Sequence, residues 1–291
     1  MSFKSTQYQI AYRKIEKNFK KYPLEDVPVQ FVTIPNSFRY WAADPFLWDF
    51  NKRTFLFCEL FDFNLGRGVI GYSEFKKGKF TKYKPVIVED FHLSYPLIFE
   101  FKNDIYMMPE TNEANSLLLY KAVDFPEKWE KCKIIKENCR LVDTTIFPLK
   151  DDKGFEGFSS SESADAIYKL KLDENLNLIE FKTMDLDAKT NRNGGSMIDV
   201  GDSIIRVCQD CRQTYGYTLI FRKLNLKTFE EMEQYTLSHK DIVILNSKGK
   251  SITPSGIHTY NANGNLEVID IKRNTITLGN LFYRLLRRIC K

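Results

Sequence analysis

A pattern of about 50 residues recurs five times along this chain. In each copy an apolar segment follows a polar or glycine-rich break, and a turn separates it from a second apolar segment. Equivalent apolar positions in the five copies are 51, 49, 51 and 60 residues apart, at Phe46, Leu97, Ile146, Met197 and Ile257. A repeat of this length, built on hairpins, is typical of a β-propeller.

A third strand-like segment follows the hairpin in the first four copies. Each of these segments ends in an aromatic residue, at Tyr72, Tyr120, Tyr168 and Phe221. The breaks contain turn sequences such as Asn-Gly and Gly-Asp, which favour tight hairpins. The fifth copy has few residues left for outer strands, so we expect the apolar run Val27–Ile34 to pair into it and close the ring. The sequence predicts an all-β fold, a five-bladed β-propeller.

Two segments lie outside the repeat. Tyr8–Tyr22 is polar and rich in lysine, and predicts a short N-terminal helix. Leu278–Lys291 predicts an amphipathic helix, with one apolar face formed by Leu281, Phe282, Leu285 and Leu286. This helix either packs across the propeller rim or rests on an anionic membrane surface. We expect a single domain over residues 1–291, with the propeller at about 27–275 and the C-terminal helix at about 278–291.

Composition excludes several classes of protein. The 43 basic residues exceed the 38 acidic ones by only five and are spread along the chain, which does not predict nucleic-acid binding. No stretch approaches the roughly 20 apolar residues of a membrane span, and the N-terminus lacks the apolar centre of a signal peptide. Six cysteines without a framework spacing fit free thiols in a reducing compartment. We therefore expect a cytoplasmic protein, with peripheral membrane contact through the C-terminal helix as the alternative to a helix packed on the rim.

Acidic residues and histidines recur at two positions of the repeat. The first strand of a propeller blade starts, and the second ends, near the same end of the central channel. Side chains at these positions therefore converge. They are Asp44, His92, Asp143 and His258 at the starts, and Glu59, Glu110, Glu162, Asp210 and Asp270 at the ends. Each also has a structural interpretation, because Asp and Asn favour turns and accept backbone N–H groups.

Several carboxylates in one pocket suit glycosidic chemistry. That reaction needs a protonated carboxyl group to donate to the leaving oxygen, and an ionised one to act as base or nucleophile. We predict Asp44 as the ionised group. Glu110 follows the apolar Met107-Met108-Pro109 and is predicted as the general acid, while Asp143 orients the sugar or tunes Glu110. We expect all three to share one solvent-reached pocket.

Other residues near these positions are predicted to bind the substrate. They are His92, Tyr95, Asp210, Arg212, His258 and Trp41, of which the aromatic ones can stack on sugar faces. Arg212, with Arg39 and Arg192, can meet a phosphate or carboxylate group on the ligand. We predict no catalytic metal and no cofactor, although a calcium ion in the channel is an alternative beside the histidines. Cys208 and Cys211 have no second cysteine pair, which disfavours zinc.

Five short motifs of this chain resemble a known family. They are Ala43-Asp44-Pro45-Phe46-Leu47, His92-Leu93-Ser94-Tyr95-Pro96, Met108-Pro109-Glu110, Asp143-Thr144-Thr145 and Gln209-Asp210-Cys211 with Tyr215-Gly216. Together they resemble the N-terminal module of glucosamine inositolphosphorylceramide transferases and similar modules in bacterial surface-polysaccharide systems. The resemblance covers about Arg39 to Tyr260 and implies a five-bladed propeller related to glycoside hydrolase families 43 and 32.

The resemblance also has implications for the site. Asp44 fits the base in the first blade of family 43, whereas Ser94-Tyr95-Pro96 stands where the second blade usually has Asp. In plant relatives a separate domain carries the transferase fold, and nothing in this sequence matches it.

Three functions follow as hypotheses. The first is an enzyme of surface-polysaccharide assembly that transfers or trims a sugar. The alternatives are a family 43-like glycoside hydrolase and a non-catalytic sugar-binding module. The expected partner in each case is a sugar, a glycan or a nucleotide-sugar.

Overall fold

The computed structural model describes residues 5–15, 29–150, 153–225, 228, 230–275 and 277–289. Strands dominate it. In chain order they are β1 (Ser5–Lys14), β2 (Val29–Thr33), β3 (Tyr40–Phe50), β4 (Arg53–Asp62), β5 (Arg67–Lys76), β6 (Lys79–Phe80), β7 (Lys84–Ile87), β8 (Ser94–Phe101), β9 (Asp104–Glu110), β10 (Ser116–Asp124), β11 (Lys128–Glu137), β12 (Leu141–Pro148), β13 (Phe155–Ser161), β14 (Ile167–Leu172), β15 (Leu178–Met184), β16 (Arg192–Asn193), β17 (Ile198–Asp199), β18 (Ser203–Asp210), β19 (Thr218–Asn225), β20 (Glu231–Ser238), β21 (Ile242–Leu245), β22 (Ser251–Ile252), β23 (Gly256–Ala262) and β24 (Leu266–Thr275). The helical segments are a 3-10 turn at Asn112–Ala114, α1 (Ala188–Asn191) and α2 (Leu278–Ile289).

The strands form five sheets, one for each copy of the repeat. Blade 1 has the order β3-β4-β5-β6, with β7 also on β5, blade 2 the order β8-β9-β10-β11 and blade 3 the order β12-β13-β14-β15. Blade 4 has the order β16-β18-β19-β20, with β17 also paired to β18. Blade 5 has the order β23-β24-β1-β2-β21-β22. The predicted five-bladed propeller is confirmed, and the predicted third strands are β5, β10, β14 and β19.

Both ends of the repeat region contribute to blade 5. Strand β2, within the predicted apolar run, lies in this sheet as expected, but it pairs with β1 and with β21 rather than with β24. Strand β1 is the neighbour of β24, in a register that runs from Ser5↔Thr275 to Lys14↔Leu266. The N-terminal strand therefore closes the ring.

The predicted N-terminal helix over Tyr8–Tyr22 is wrong for its described part. Residues 5–14 form β1, and residues 16–22 lie outside the described residues. The physical reason is the burial of both faces of this segment. Tyr8 and Ile10 point to one face and Gln9 and Ala11 to the other, and all four are buried.

The first strand of four blades has a β-bulge at the same place. Two residues oppose one residue of the second strand at Asp44-Pro45, Tyr95-Pro96, Asp143-Thr144 and His258-Thr259. The first bulge residue has a positive φ in blades 1 to 3, of 49° at Asp44, 46° at Tyr95 and 49° at Asp143. This conformation is uncommon for residues with a side chain. The bulges turn the backbone of these four positions toward the channel.

Helix α2 follows β24 directly and packs beside the loop before β3. A Cβ atom built on Gly279 would lie 1.8 Å from the carbonyl oxygen of Phe38, so only glycine permits this approach. Asn280 is buried and its amide donates to the hydroxyl of Ser5 on β1. The predicted C-terminal helix is confirmed over Leu278–Ile289, and residues 290–291 lie outside the described residues.

Among the described residues, no helix combines the length and the apolar character needed to cross a lipid bilayer.

Candidate functional site

Five carboxylates from four blades gather where the first strands start. They are Asp44, Glu59, Glu110, Asp143 and Asp270. Burial is the largest cause that raises the pKa of Glu59, and the negative charges of the other four carboxylates raise it further. Asp44 and Asp143 are 5% and 3% exposed. Solvent reaches Glu110 more readily, because its residue is only half-buried. The three predicted catalytic residues therefore lie in one cluster at one end of the channel.

These carboxylates accept hydrogen bonds from the bulges. The backbone N–H of Asp44 donates to Asp270 (3.0 Å), that of Tyr95 to Asp44 (3.2 Å) and that of Asp143 to Glu110 (3.3 Å). The N–H groups of His258 and Thr259 both donate to one oxygen of Asp270. The acids thus have a structural role, since they satisfy N–H groups that the bulges remove from the strand ladder.

Asp44 and Asp270 flank the imidazole of His258. Its Nδ1 lies 2.7 Å from Asp270 and its Nε2 lies 3.3 Å from Asp44. Burial opposes the charge of His258, but the two carboxylates outweigh it and raise its pKa above the ordinary value. Burial also raises the pKa of Asp44, from 3.8 to about 6. His258 is thus a buried histidine between two acids, which favour its charged form.

The same three residues are a candidate metal centre. Asp44, His258 and Asp270 each offer one ligand atom, and these atoms lie within 4.8 Å of one another. Calcium requires six to eight oxygen ligands, whereas this group offers two carboxylates and a nitrogen. Both imidazole nitrogens already face carboxylates, so an ion would have to displace a contact. These residues therefore fit the predicted channel calcium poorly.

A second subcluster joins Glu110 and Asp143 through Arg192 at the start of β16. The Nε of Arg192 donates to Asp143 at 2.5 Å, and its NH2 lies 3.9 Å from Glu110. Gln209 also donates to Asp143, at 2.9 Å. Burial and the neighbouring Asp143 carboxylate raise the pKa of Glu110 well above its ordinary value. The surroundings of Glu110 therefore favour its protonated form, while Arg192 supplies a positive charge next to Asp143.

His92 faces the acids from blade 2. The N–H of Gly68 donates to its Nδ1 at 3.0 Å, which leaves Nε2 as the protonated nitrogen of the neutral ring. That Nε2 lies 3.4 Å from Glu59. Burial lowers the pKa of His92, so the ring is neutral at pH 7. Glu59, near the end of β4, is the acid that His92 contacts.

An aromatic group borders the cluster. Trp41 stacks in parallel on Phe61 with ring centroids 4.9 Å apart, and it contacts Tyr8 at 5.6 Å. Tyr8 in turn packs on His258, with centroids 4.5 Å apart. Tyr215 contacts the other side of His258 at 5.3 Å and is exposed. Half-buried aromatic rings next to acids are suited to stacking on a sugar face.

Three predicted substrate-binding residues lie elsewhere. Tyr95 is fully buried, and its hydroxyl bonds to Thr145 and to the backbone of Gly195. It therefore joins blades 2, 3 and 4 instead of facing a ligand. Asp210 and Arg212 pair with each other at 2.6 Å, and Arg212 is exposed. The Arg212 guanidinium lowers the pKa of Asp210. Both residues form a local pair outside the carboxylate cluster.

Two contributors to the site were not predicted as site residues. The sequence indicates Arg192 only as a cation near a strand start. It lies at the start of β16, 49 residues after Asp143 near the start of β12, and this spacing, close to the length of the repeat, is the signal that could have found it. Tyr8 had no such signal. It lies outside the repeat, and its place beside His258 follows from strand pairing across 264 residues, Tyr8↔Lys272.

The sequence has relatives among known proteins. Residues 28–252 match the family described as glucosamine inositolphosphorylceramide transferase 1, N-terminal. The glucosamine inositolphosphorylceramide transferase 1 of Arabidopsis thaliana is 31% identical over 217 residues, which cover 69% of this chain and 27% of that protein. Its counterpart in Oryza sativa subsp. japonica is 29% identical over 207 residues, 66% of this chain and 27% of that protein. The chain thus spans about a quarter of the length of these relatives.

Solved structures share the fold. The catalytic domain of a GH62 α-L-arabinofuranosidase from Coprinopsis cinerea superimposes with a TM-score of 0.58 at 9% identity, covering 92% of this chain and 98% of that one. A β-1,2-mannobiose phosphorylase from Listeria innocua, in complex with β-1,2-mannobiose, has a TM-score of 0.57 at 11% identity and covers 94% and 98%. At these identities the likeness concerns the propeller alone.

Proposed function

Because the chain belongs to the family of glucosamine inositolphosphorylceramide transferase N-terminal domains, we propose that it is a carbohydrate-active protein that acts on a glycosidic or sugar-phosphate bond. The names of its relatives support a role with sugars. So do the propellers of similar shape, which include a glycosidase and a sugar phosphorylase. The reaction itself is argued from this chain's own residues.

The observation that carries the proposal is one cluster in which the carboxyl groups have different surroundings. Burial and the neighbouring Asp143 carboxylate raise the pKa of Glu110 well above its ordinary value, whereas the pKa of Asp44 is about 6. The surroundings of Glu110 thus favour its protonated form, while Asp44 is ionised at pH 7. Carboxyl groups with separated pKa values are the pair that acid–base chemistry at an anomeric carbon requires.

In the proposed step, Glu110 donates its proton to the leaving oxygen as the bond from that oxygen to the anomeric carbon breaks. Asp44 takes the proton of the incoming hydroxyl group or water, or attacks the carbon itself. Asp143 tunes Glu110, because its backbone N–H and its partner Arg192 both lie against that carboxyl group. Trp41, which is half-buried beside the cluster, provides the surface on which the sugar ring stacks.

The proposed setting is the assembly of surface polysaccharides in the cytoplasm, with a glycan or nucleotide-sugar as ligand. The thiols support a reducing compartment, since the five cysteines within the described residues form no disulfide. Arg192 supports a ligand with a phosphate or carboxylate group, because its guanidinium stands at the cluster.

A non-catalytic sugar-binding module is the second candidate. It is favoured by the bonds that the bulges make to Asp44 and Glu110, and by the burial of Asp44. A family 43-like hydrolase is the third, and it differs from the first in using water as the acceptor.

The test is to incubate the protein separately with nucleotide-sugars and with aryl glycosides, and to measure which is consumed. We expect turnover that falls at least about 100-fold in Asp44→Asn and in Glu110→Gln, as for the loss of a general acid or base. Glu162→Gln is the matched control, because Glu162 ends the same kind of strand but forms an exposed pair with Arg140. If a sugar raises the melting temperature while neither substrate is consumed, the enzyme proposal fails and the sugar-binding module replaces it as the function.

A further inference from the structure

Helix α2 carries an exposed apolar surface. Leu278, Phe282 and Leu285 are spaced four and three residues apart, which places them on one helix face. Leu278 is 77% exposed and Leu285 is 58% exposed. Phe38, on the loop before β3, is also exposed and contacts Phe282 with ring centroids 5.7 Å apart. We call Phe38, Leu278, Phe282 and Leu285 the apolar patch.

Packing of the helix does not use this face. The side that meets the propeller contains Gly279 against the Phe38 carbonyl and the buried Asn280. Thr277 holds the helix start, since its hydroxyl accepts the N–H of Asn280 and also the amide of Gln7. The start of the helix is therefore fixed to β1 and to the loop before β3 by small and polar residues, while Leu278, Phe282 and Leu285 are exposed.

Charge identifies the partner of the patch. From Ile271 to Lys291 the chain contains six basic residues, among them Arg284, Arg287 and Arg288 within the helix, and no acidic residue. The rest of the chain is nearly balanced, because the net charge of the whole is +5. A helix with an exposed apolar face and only positive charge matches an anionic lipid surface. A protein partner would not require this excess of positive charge.

The patch lies at the same end of the propeller as the carboxylate cluster. Ser5 of β1 accepts the Asn280 amide, and three residues further along the same strand Tyr8 packs on His258. Three strand residues span about 10 Å. Phe38 is likewise three residues from Trp41, whose ring contacts Tyr8. A surface bound to the patch therefore lies next to the mouth of the site.

We propose that the apolar patch docks the protein on an anionic membrane surface, with the carboxylate cluster beside the bilayer. A consequence for the substrate rests on the proposed function: the sugar on which the protein acts is attached to a membrane lipid. Docking itself needs no turnover, so the two can fail independently.

The test is flotation of the full chain with vesicles of phosphatidylcholine alone and of phosphatidylcholine with about 30% phosphatidylglycerol. We expect binding to the anionic vesicles only, weakened severalfold when salt rises from about 50 mM to about 500 mM. The double variant L278Q/L285Q should bind at least tenfold more weakly at an unchanged melting temperature. Ile179→Gln is the matched control, because Ile179 is an equally exposed apolar residue on β15 in blade 3.

Three results would overturn the proposal. One is that the wild-type chain floats equally with neutral and anionic vesicles, or with neither. Another is that L278Q/L285Q binds as tightly as wild type. The third is that the patch joins two copies of the chain, which gel filtration would detect as a wild-type dimer that the double variant converts to a monomer. If vesicle binding holds while no glycan is consumed, docking stands and the proposed chemistry fails.

Discussion

At the scale of single residues, three positions combine backbone strain with a hydrogen bond to a carboxylate. Asp44, Tyr95 and Asp143 have a positive φ without being glycine, and they occupy the same bulge position in successive blades. Each donates its N–H to a carboxylate of the cluster. A strained backbone persists where its surroundings hold it, and such strain concentrates at functional sites. The acids of this cluster therefore stabilise the bulges and also form the candidate site.

The raised pKa of Asp44 predicts how stability depends on pH. The folded chain binds this proton more tightly than the unfolded chain, because burial raises the pKa from 3.8 to about 6. Its stabilisation is fully present below about pH 4 and is lost as the pH rises through 6. At about 1.4 kcal/mol for each pKa unit, the loss is about 3 kcal/mol. Denaturant unfolding between about pH 3 and about pH 7, which brackets both pKa values of Asp44, measures it.

Asp44→Asn separates this effect from all other titrations. The amide cannot ionise, so the variant should gain stability relative to wild type as the pH rises through that interval. Glu162→Gln, which removes an exposed carboxylate paired with Arg140, is the control. A constant difference between wild type and Asp44→Asn would contradict the prediction.

At the scale of elements, β1 is the strand with the largest consequence. It lies between β24 and β2 in the middle of blade 5, and its Ile10 packs in a core with Leu56 of blade 1 and Val268 of β24. The strand therefore joins the first and last blades. It also places Tyr8 against His258, so the same strand closes the ring and contributes to the candidate site.

Ile10→Ala should cost about 3 kcal/mol of unfolding free energy, because it leaves a cavity at a fully buried position. Ile179→Ala, at an exposed position of β15, should cost less than about 0.5 kcal/mol. Denaturant titration of both variants provides the comparison. Equal, small effects would mean that this segment is not part of the core.

At the scale of the whole molecule, the propeller is a closed ring whose last blade needs both chain ends. Strand β1 is paired with β24 over ten consecutive positions. Without it, β24 exposes an unpaired edge and blade 5 separates into two parts. Closure is thus a property of the complete ring, since every other blade is formed from one continuous stretch of chain.

A chain that lacks residues 1–15 should show no cooperative melting transition. A synthetic peptide of residues 1–15, added in excess, should restore the transition by filling the gap between β24 and β2. Circular dichroism with temperature measures both. A truncated chain that melts like the full chain would contradict the role of β1 in closure.

The sequence by itself determined the number of blades and the position of the acids. Hairpins and third strands are local, and their period of about 50 residues follows from apolar runs and turns that lie close together in the chain. The turn chemistry of the repeat also placed Asp44, Glu110 and Asp143 at one end of the channel. The register of the repeat was less well predicted, since the residues after the bulges are Thr145 and Tyr260 where Ile146 and Ile257 were expected.

Only the tertiary structure decided the features that depend on pairing between distant strands, namely the conformation of β1 and the set of acids in the cluster. The sequence of β1 is typical of a polar helix, and only pairing with β24, which is 252 residues away at the closest pair, Lys14↔Leu266, buries both faces of the segment. Strand register decides which acids join the cluster. Glu59 and Glu110 each lie opposite the residue before a bulge, whereas the equivalent residue in blade 3 is Ser160. Glu162 falls two residues beyond and pairs with Arg140 at the surface. Local pattern specifies each blade, but only the closed ring sets which side chains meet.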